Sequence, residues 1–491
     1  MTINQLTENV EVLQSWGDLN VEVHQLDFDS RKVVPGSLFV AVKGTQTDGH
    51  DYLTQVIAGG AVAIVAQRAP LSTEEKKVAC WLNVANSAAC LGQMAAAFFH
   101  YPSRELQLVG ITGTNGKTTC ATLLYQLYQE LGEKTGLLST VENRIGEEVI
   151  SASHTTPDAV ELNRLLAQMV EANCTYVFME VSSHAVDQER IAGLDFAGGV
   201  FTNMSHDHLD YHGSFKAYIE AKKKFFDNLP KGTFALVNVD DKRGSVMVQN
   251  TAATKRSYSL RAMADYRARI LGNSAEGLHM ELAGHELFAR LIGHFNAYNL
   301  LAVYGTAVLL DAPAQEVLRI LSGLPGPAGR ASYVRNNQSG ITGVVDYAHT
   351  PDSVEKICQT LREMLPRNQR LTTVLGCGGD RDRTKRPLMA KAACDYSNLV
   401  ILTSDNPRSE DPEAILNEME EGVPVDKKDQ VLRITDRRSA IVTACRLAKP
   451  GDIVLIAGKG HETYQEIKGV KHPFSDDEVL RNALDLIKQT N

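Results

Sequence analysis

The sequence predicts an α/β protein of three domains, and three observations support this prediction. The chain has 491 residues, which exceeds the length over which a single hydrophobic core usually grows. Apolar strand-like runs alternate with helical patterns, an order typical of parallel sheets covered by helices. Two linker-like stretches, YPSREL and GLPGPAGR, divide the chain into segments 1–104, 105–328 and 329–491.

The composition is that of an ordinary globular protein. Hydrophobic residues make up 43% of the chain and charged residues 22%, which argues against disorder or a fibre. The formal net charge of -9 argues against nucleic acid as the main partner. We expect no secretory signal and no transmembrane helix, because neither a basic start nor a long apolar run is present. Eight scattered cysteines without a C-x-x-C pair predict reduced thiols in a cytoplasmic enzyme and no zinc site.

The first segment, 1–104, is predicted to be a small α/β domain. Within it, GSLFVAVKG is typical of a buried strand, and NSAACLGQMAAAFFHYP predicts the helix that closes the domain. The second segment, 105–328, contains the strand-like runs QLVGITG, CTYVFMEVSS and GGVFTNMS, with helical patterns between them. This alternation predicts a parallel sheet in the central domain.

A glycine-rich loop, GITGTNGKTT at 110–119, links a strand to a helix in the second segment. Glycines let backbone N–H groups approach phosphate oxygens, while Lys117 supplies positive charge and Thr118 a hydroxyl for Mg²⁺. Ile111 stands where the usual spacing has glycine, and a plain glycine-rich helix start is the alternative. The strand–loop–helix context favours a phosphate-loop ATPase domain.

Two further positions in the second segment suggest a metal site. Glu180 ends an otherwise apolar strand, where a carboxylate is well placed to hold Mg²⁺ beside the phosphate loop. His208 lies in SHDHLDYHG at 205–213 and is a candidate second-metal ligand, although Mg²⁺ prefers oxygen. The alternatives are a surface glutamate and a set of turn and capping histidines.

The helix SFKAYIEAKKKFFDNL carries a lysine on its apolar side. Phe215, Ile219 and Phe226 define an apolar stripe, and the spacing places Lys222 on that stripe. The lysines at 223–224 are expected to face solvent. A buried lysine must be paired, neutral or chemically altered, unless its ammonium extends back to water.

The third segment, 329–491, is predicted to be a Rossmann-like domain. Four apolar strands each run directly into a polar loop: DYAHTPD, GCGGDRDRTKRP, SDNPRSEDP and GKGHE. Ligands bind at the carboxyl ends of the strands in open parallel sheets. We therefore expect the four loops to line one crevice, although each could separately be a solvated turn.

Nine motifs in this order together closely resemble the Mur ligase family: GTNGKTT, TTPD, EVSSH, HLDYHGSFKAYIEAK, GHFNAYN, DYAHTPDS, GCGGDRD…KRP, DNPR and GKGHE. With DSRKVVPGSLFVAVKG, the resemblance spans nearly the whole chain. It implies a peptidoglycan-precursor ligase that uses ATP and Mg²⁺ to phosphorylate the D-Glu side-chain carboxylate of UDP-N-acetylmuramoyl-L-Ala-D-Glu. An amine of meso-diaminopimelate then attacks the acyl phosphate. A cytoplasmic monomer with small-molecule substrates, and with no nucleic-acid partner or membrane insertion, is expected.

The resemblance also implies roles for particular residues. It assigns UDP, ATP and amino-acid binding to the first, second and third domains. The implied catalytic residues are Lys117, Glu180, His208 and Lys222, and the implied metal ligands are Thr118, Glu180, His208 and Lys222. Lys222 matches the lysine that the family carries as a carbamate formed with CO₂ (N6-carboxylysine). The implied ATP contacts are Gly113, Thr114, Asn115, Gly116, Lys117, Thr118, Thr119, Asn296, Asn299, Arg330 and Asp346. The implied contacts to the UDP-muramoyl dipeptide are Ser30, Thr45, Gln46, Thr47, Thr155, Thr156, Ser182, Gln188 and Arg190. The implied diaminopimelate contacts are Arg386, Asp405, Asn406, Pro407, Arg408, Gly458 and Glu462.

The choice of amino acid is expected to depend on Arg408. Diaminopimelate carries a second carboxylate and ammonium, which require a cation and an anion in the pocket. Arg408 suits the carboxylate because a guanidinium can hold it at two points, and Glu462 suits the ammonium. The family's lysine-adding enzymes resemble DNPA rather than DNPR at this loop. The plainer interpretation of Arg408 is a surface ion pair.

Three alternative functions remain open at this point. The chain could be a lysine-adding ligase or a folylpolyglutamate-type ligase of the same superfamily. It could also be a nucleotide-binding switch without ligase activity. The N-terminal motif and DNPR argue against the two ligases, and the four convergent loops argue against the switch.

Overall fold

The computed structural model describes residues 1–45, 47–152, 154–274, 276–335 and 339–487. Three large sheets follow one another along the chain, and each has hydrophobic clusters packed on both of its faces. This arrangement confirms the predicted α/β fold. In the described ranges, no helix is long and apolar enough to cross a membrane.

The N-terminal unit is built on a sheet in the order β1-β5-β4-β3-β2, in which only β1 is antiparallel to its neighbour. Its strands β1–β5 are Gln14–Gly17, Gln25–Asp27, Ser37–Val40, Ala63–Ala66 and Cys80–Asn83. Its helices α1–α3 are Ile3–Leu6, Leu53–Ala58 and Ser87–Phe98, with 3-10 turns at Gly49–Tyr52, Glu75–Lys77 and Pro102–Glu105. The predicted strand and closing helix are both present.

The central unit contains the largest sheet. Its strands β6–β16 are Gln107–Thr112, Thr135–Leu138, Asn143–Ile145, Glu148–Ile150, Tyr176–Glu180, Gly198–Phe201, Phe234–Asn238, Thr254–Ser259, Tyr266–Ser274, Gly277–Leu282 and His285–Ala289. Its helices α4–α11 are Lys117–Glu130, Ala159–Glu171, Ser183–Asp187, Leu209–His212, Phe215–Asp227, Gly244–Met247, His294–Leu309 and Ala314–Leu321.

The central sheet is parallel only in its middle. The strand order is β16-β15-β14-β13-β12-β11-β6-β10-β7-β8-β9, and β8, β9, β15 and β16 pair in antiparallel fashion. The alternation of strands and helices predicts the parallel part but not these edges. The hairpins that lead into β9, β15 and β16 use glycines with positive φ, Gly146, Gly277 and Gly284, instead of helical crossovers.

The C-terminal unit has a sheet in the order β17-β18-β22-β19-β20-β21, parallel from β18 to β21. Its strands β17–β24 are Ser332–Arg335, Thr342–Asp346, Leu371–Leu375, Leu399–Leu402, Val431–Arg433, Ile453–Ala457, Tyr464–Ile467 and Val470–Pro473. Its helices α12–α16 are Pro351–Met364, Lys385–Tyr396, Pro412–Glu420, Arg437–Leu447 and Asp476–Leu486, with a 3-10 turn at Val425–Gln430. The last two strands form a separate hairpin.

Candidate active site

The phosphate loop between β6 and α4 requires glycine at two positions. Gly113 has φ 145° and Gly116 has φ 89°, both in the range that favours glycine. A Cβ on Gly113 would stand 1.9 Å from Thr202 Oγ1, and one on Gly116 would stand 2.5 Å from Asn299 Oδ1. The backbone therefore passes too close to its neighbours for any larger residue.

Two lysines meet at this loop. Nζ of Lys117 donates to the carbonyl oxygens of Gly113 (3.0 Å) and Thr114 (2.8 Å). Nζ of Lys222 donates to the same Gly113 carbonyl at 2.9 Å and stands 4.8 Å from the centre of the Tyr218 ring. Burial, followed by the charge of Lys117, holds the pKa of Lys222 well below its ordinary value. Lys222 is therefore favoured as a neutral amine in this structure.

The inward position of Lys222 is confirmed, since only 1% of the residue is exposed. Phe226 is buried as predicted, but Phe215 and Ile219 are only half-buried. The rest of the covered face is formed by Tyr218, Ala221 and Phe225. Of the two following lysines, Lys224 is exposed as expected. Lys223 is half-buried and pairs with Asp227 at 2.6 Å, so its predicted exposure is wrong.

Glu180 has an oxygen that lacks a partner. Its Oε1 accepts from the backbone N–H of Thr140 at 2.7 Å, whereas Oε2 is buried and has no hydrogen-bond partner among the described residues. A buried carboxylate oxygen left alone is costly, so the site fits a cation. On α4, Thr118 Oγ1 accepts from Arg330 Nη2 at 3.0 Å.

His208 stands at the start of α7, as its N-cap residue. Its side chain is 41% exposed, and its Nε2 stands 3.4 Å from Asp207 Oδ2. In the described ranges, no three His, Cys, Asp or Glu side chains converge as a ready-made metal site. An incomplete set of protein ligands is compatible with Mg²⁺, which takes much of its coordination from water and substrate phosphates.

A pocket beside the phosphate loop brings together most of the predicted ATP contacts. It is lined by Asn115, Gly116, Thr119, Asn296, Asn299, Arg330 and Asp346. Asp346 accepts backbone N–H groups of Ala331 and Ala348, each at 2.7 Å, and burial raises its pKa. Asn299 Nδ2 donates to Asn296 Oδ1 at 2.9 Å, which fixes both amides. Predicted contacts from two domains therefore share one pocket.

Sequence reasoning missed several residues of this pocket. Phe295, Tyr347, His349, Lys356 and Ile357 also line it. The signal was available for two of them, because Tyr347 and His349 belong to DYAHTPD, a loop singled out at a strand end. Only Asp346 was named from that loop.

The predicted dipeptide contacts from the central unit form one hydrogen-bonded cluster. Thr156 Oγ1 donates to Glu180 O at 2.7 Å and accepts from the N–H of Ser182 at 3.1 Å. Arg190 Nη1 donates to Thr156 O at 2.8 Å, and its Nη2 donates to Gln188 Oε1 at 2.6 Å. The remaining member, Thr155, accepts from Thr140 Oγ1 at 3.1 Å and lines the large crevice described below.

The predicted uridine contacts lie in the N-terminal unit. Ser30 follows β2, and Thr45 and Thr47 follow β3; these two strands are parallel neighbours. Their loops therefore lie at the same edge of the sheet. Gln46, which was also predicted here, lies outside the described residues.

The four polar loops of the C-terminal unit line one crevice, as predicted. Tyr347, Gly376, Asp405 and Gly458 each represent one of the loops in its wall. The crevice also contains Asp207 from the central unit, so it opens between two domains.

Arg408 stands in this crevice in a strained conformation. Its φ of 51° lies in the left-handed region, and its N–H and C=O groups are bonded to Glu466 O (3.0 Å) and Lys468 N (2.7 Å). Nη1 donates to Gly379 O at 2.6 Å, and Nε lies 3.5 Å from Glu466 Oε2. No described residue accepts a hydrogen bond from Nη2. The Arg408 guanidinium is therefore held through Nη1 and Nε, while Nη2 is bonded to no described residue.

The acidic side of the crevice is organised by a buried lysine that sequence reasoning missed. Lys459 is fully buried, and its Nζ donates to Glu462 Oε2 (2.7 Å) and Asn406 Oδ1 (3.0 Å). Asn406 Nδ2 donates to the same Glu462 oxygen at 2.8 Å. Asp405 packs against the backbone of Gly458, where a Cβ would stand 2.6 Å from Oδ2 of Asp405.

Arg386 and Pro407, two predicted diaminopimelate contacts, lie behind this wall and do not line the crevice. Arg386 is fully buried, and its guanidinium donates to Glu410, Glu418 and the Gly378 carbonyl. Pro407 is buried as well. Both residues hold the neighbouring loops together in this structure.

Comparison with known proteins identifies the group to which the chain is similar. Residues 22–99 match the family described as "Mur ligase family, catalytic domain", residues 111–307 the "Mur ligase middle domain", and residues 329–460 the "Mur ligase, glutamate ligase domain".

Curated relatives match over nearly the full chain. The UDP-N-acetylmuramoyl-L-alanyl-D-glutamate–2,6-diaminopimelate ligase of Cytophaga hutchinsonii is 53% identical over 99% of this chain and 100% of its own length. The ligase of the same name from Parabacteroides distasonis is 51% identical over 98% of both chains. A solved structure of a ligase of that name has a TM-score of 0.70 at 33% identity and covers 99% of both chains. The chain belongs to the Mur ligase family.

Proposed function

We propose that this chain is an ATP-dependent ligase that joins meso-diaminopimelate to the D-Glu side-chain carboxylate of UDP-N-acetylmuramoyl-L-Ala-D-Glu. One observation supports it above the others. The pocket beside the phosphate loop and the crevice holding Arg408 and Glu462 share a wall, formed by Tyr347 and His349. A nucleotide and an amino-acid acceptor bound in these cavities would have their reactive ends at that wall.

The proposed reaction has two steps. A carboxylate oxygen of D-Glu attacks the γ-phosphorus of ATP, and ADP leaves with the electrons of the broken bond. An amine of meso-diaminopimelate then attacks the acyl carbon, and inorganic phosphate leaves. The first step brings two anions together, so the charge of Lys117 at the loop lowers their repulsion.

The orphaned oxygen of Glu180 supports the proposal that Mg²⁺ binds beside the loop. Mg²⁺, when bound, would supply the positive charge that draws the phosphates and the substrate carboxylate together. We assign Thr118 and Glu180 as residues that would hold this ion, His208 as a residue beside a second Mg²⁺, and a modified Lys222 as a further oxygen ligand for metal.

Lys222 fits the proposed carbamate. A neutral amine is the form that reacts with CO₂, and burial beside Lys117 favours the neutral amine. Carbamylation forms a nitrogen–carbon bond and releases a proton, which leaves an anion with two oxygens. This anion would stand beside two cations, Lys117 and the metal, whereas a protonated Lys222 would be a third cation at the same place.

The amino-acid pocket is proposed to recognise both charges at the distal end of meso-diaminopimelate. Arg408 Nη2 faces the carboxylate, and Glu462 with Asp405 faces the ammonium. Arg386 acts on this pocket through the loops that it holds, because it lies behind the wall. Lysine lacks the distal carboxylate, so it would leave Arg408 without its partner.

We propose domain boundaries at 104 and 328, with UDP, ATP and amino-acid binding in the three domains in that order. The three sheets and the order of the predicted contacts support this division. Ser30 and the segment from Thr45 to Thr47 are assigned to the uridine nucleotide. The cluster of Thr155, Thr156, Ser182, Gln188 and Arg190 is assigned to the muramoyl dipeptide. We also propose that the protein acts as a monomer.

The experiment that tests the proposed function is the identification of the product. The protein is incubated with ATP, Mg²⁺, UDP-N-acetylmuramoyl-L-Ala-D-Glu and meso-diaminopimelate. The products are identified by mass spectrometry. We expect the UDP-linked tripeptide, ADP and phosphate in equal amounts. ADP and phosphate without a tripeptide would contradict the proposal and favour a nucleotide switch.

A further inference from the structure

His349 stands where the two cavities meet. It belongs to the loop after β18, and it lines both the nucleotide pocket and the acceptor crevice. Tyr347 is the only other residue in both linings among the described residues. A side chain at this position would lie between a nucleotide bound in the pocket and an amine bound in the crevice.

The hydrogen bond of His349 fixes which ring nitrogen is basic. Nδ1 lies 2.8 Å from the carbonyl oxygen of Tyr347, which can only accept. Nδ1 therefore carries the hydrogen in the neutral ring, and Nε2 keeps its lone pair. No described residue forms a hydrogen bond to Nε2. The imidazole is held as an acceptor without a protein partner.

Charges from three other elements act on this ring. Burial and the nearby Lys385 at the start of α13 lower the pKa of His349 to about 4, with Arg330 adding to the same effect. Asp207, after β11, and the Tyr347 carbonyl act in the opposite direction. The ring is neutral in this state. Phosphates and carboxylates that enter the two cavities favour its protonated form, so they bring its basicity closer to that of a useful base.

An acceptor amine needs such a base. The amino groups of free diaminopimelate are ammonium ions at neutral pH, and an ammonium has no lone pair with which to attack an acyl phosphate. Lys385, Lys117 and Arg330 are cations and cannot take this proton in their charged forms. Nε2 of His349 is a neutral acceptor on a side chain that lines both cavities.

We propose that His349 is the general base that removes a proton from the acceptor ammonium; this inference rests on the proposed function. Nε2 takes one proton, and the freed lone pair forms the nitrogen–carbon bond at the acyl carbon. The carbon–oxygen bond to phosphate breaks, and phosphate leaves with its electron pair. The amide nitrogen then loses its second proton to the departing phosphate, and the imidazolium returns its proton to water.

His349→Asn tests this role with little change in packing. The amide of asparagine can still donate to the Tyr347 carbonyl, but it offers no basic nitrogen. Each enzyme is given ATP, Mg²⁺ and UDP-N-acetylmuramoyl-L-Ala-D-Glu with either meso-diaminopimelate or hydroxylamine. Hydroxylamine is largely unprotonated at neutral pH, so it traps the acyl phosphate as a hydroxamate without needing a base.

The two acceptors should separate the steps. We expect amide formation with meso-diaminopimelate to fall about 10²-fold or more in His349→Asn, while hydroxamate formation is retained. Loss of both products together would overturn the inference, because it would place His349 in phosphoryl transfer or in folding. Retention of both would overturn it as well. If unmodified enzyme makes neither product, the proposed function itself has failed.

His461→Asn is the matched control. His461 is a second half-buried histidine against Tyr347, with ring centres 5.3 Å apart, but it lines neither cavity. We expect it to leave the ratio of amide to hydroxamate unchanged. A change in that ratio equal to that of His349→Asn would show that disturbing Tyr347, and not loss of the base, is responsible.

The pH profile of the unmodified enzyme provides a test that needs no variant. With an internal base, kcat/KM for meso-diaminopimelate should be level around neutral pH, where His349 is unprotonated. Without one, it should rise about tenfold per pH unit throughout, following the small fraction of free amine. A continuous rise in the unmodified enzyme would overturn the inference. We expect that rise only in His349→Asn.

Discussion

At the scale of single residues, the site depends on charged groups that are buried with few partners. Lys222, Glu180 and Lys459 are each nearly or fully buried. Burial disfavours the charged form of a group unless a partner or a modification compensates. Lys459 donates hydrogen bonds to Glu462 and Asn406. In contrast, Glu180 Oε2 has no hydrogen-bond partner among the described residues, and Lys222 donates only to a backbone carbonyl. The last two residues are therefore the ones for which a ligand or modification is expected.

Lys222→Ala should abolish ligation. The variant removes the group that we propose to carry the carbamate, so turnover should fall about 10²-fold or more. Added bicarbonate should not restore it. Phosphate release is the measurement, and Lys224→Ala is the control, because Lys224 is exposed two residues away on the same helix. An active Lys222→Ala enzyme would show that the carbamate is dispensable.

Arg408→Ala should impair use of meso-diaminopimelate and spare ATP binding. We propose that Nη2 of the guanidinium donates to the distal carboxylate, and loss of a charged hydrogen bond costs about 1.5 to 3 kcal/mol, or roughly 10- to 100-fold in KM. Arg408→Lys keeps the charge without the planar geometry and should be intermediate. KM for each substrate is measured. Unchanged kinetics with meso-diaminopimelate would make Arg408 an ordinary ion-pairing residue.

The role of a single residue can be predicted from the sequence where spacing or backbone conformation allows only one interpretation. Lys222 was predicted to point inward from helical spacing alone, and Gly113 and Gly116 from the needs of a phosphate loop. Lys459 and His349 were missed, although their loops were singled out. Their importance comes from contacts with Glu462 and the Tyr347 carbonyl, which depend on how the loops fold in three dimensions.

At the scale of elements, two loops of the crevice are joined by a charged clamp. Arg386 at the start of α13 donates to Glu410, just before α14, at 3.0 and 2.8 Å, and to Glu418 on α14 at 2.7 Å. Glu410 also accepts the N–H of Asp380 at 2.6 Å. The clamp ties the loop after β19 to the loop that carries Arg408.

Glu410→Gln should weaken this clamp in a pH-dependent way. Hydrogen bonds from Arg386 hold the pKa of Glu410 at about 2, below its ordinary value of 4.5. Its stabilising contribution is therefore complete above pH 4.5 and is lost as the pH falls towards 2.

We expect the variant to unfold at a lower temperature at pH 7, by an amount corresponding to about 2 kcal/mol. The difference in melting temperature from the unmodified protein should shrink as the pH falls below 4.5. Glu421→Gln is the control, because Glu421 is exposed. A difference that stays constant down to low pH would contradict the ionic role of Glu410.

The parallel strands of each sheet could be predicted because their apolar runs end in turn-forming loops. The edges of the central sheet could not be predicted in this way. In β15 the burial alternates, and its pairing with β14 and β16 depends on glycine turns rather than on helical crossovers. The stripe on the Lys222 helix was also displaced, because Phe215 lies in the first turn, where the helix is only half-covered.

At the scale of the whole molecule, residues far apart in the chain meet at the contact between the central and C-terminal domains. Arg330 donates to Thr118, and Asn115 Nδ2 donates to Asp352 Oδ2 at 3.1 Å. These bonds join the phosphate loop to the domain that carries Arg408. The order of the motifs predicted that three domains would contribute, but the shared wall of Tyr347 and His349 required the three-dimensional structure.

The central claim is that the three domains together select meso-diaminopimelate as the acceptor. Its most direct test is phosphate release with ATP and UDP-N-acetylmuramoyl-L-Ala-D-Glu, comparing meso-diaminopimelate with L-lysine at equal concentrations. We expect fast phosphate release with meso-diaminopimelate and release near background with lysine, since lysine lacks the distal carboxylate that Arg408 is proposed to bind. Equal or faster release with lysine would contradict the account.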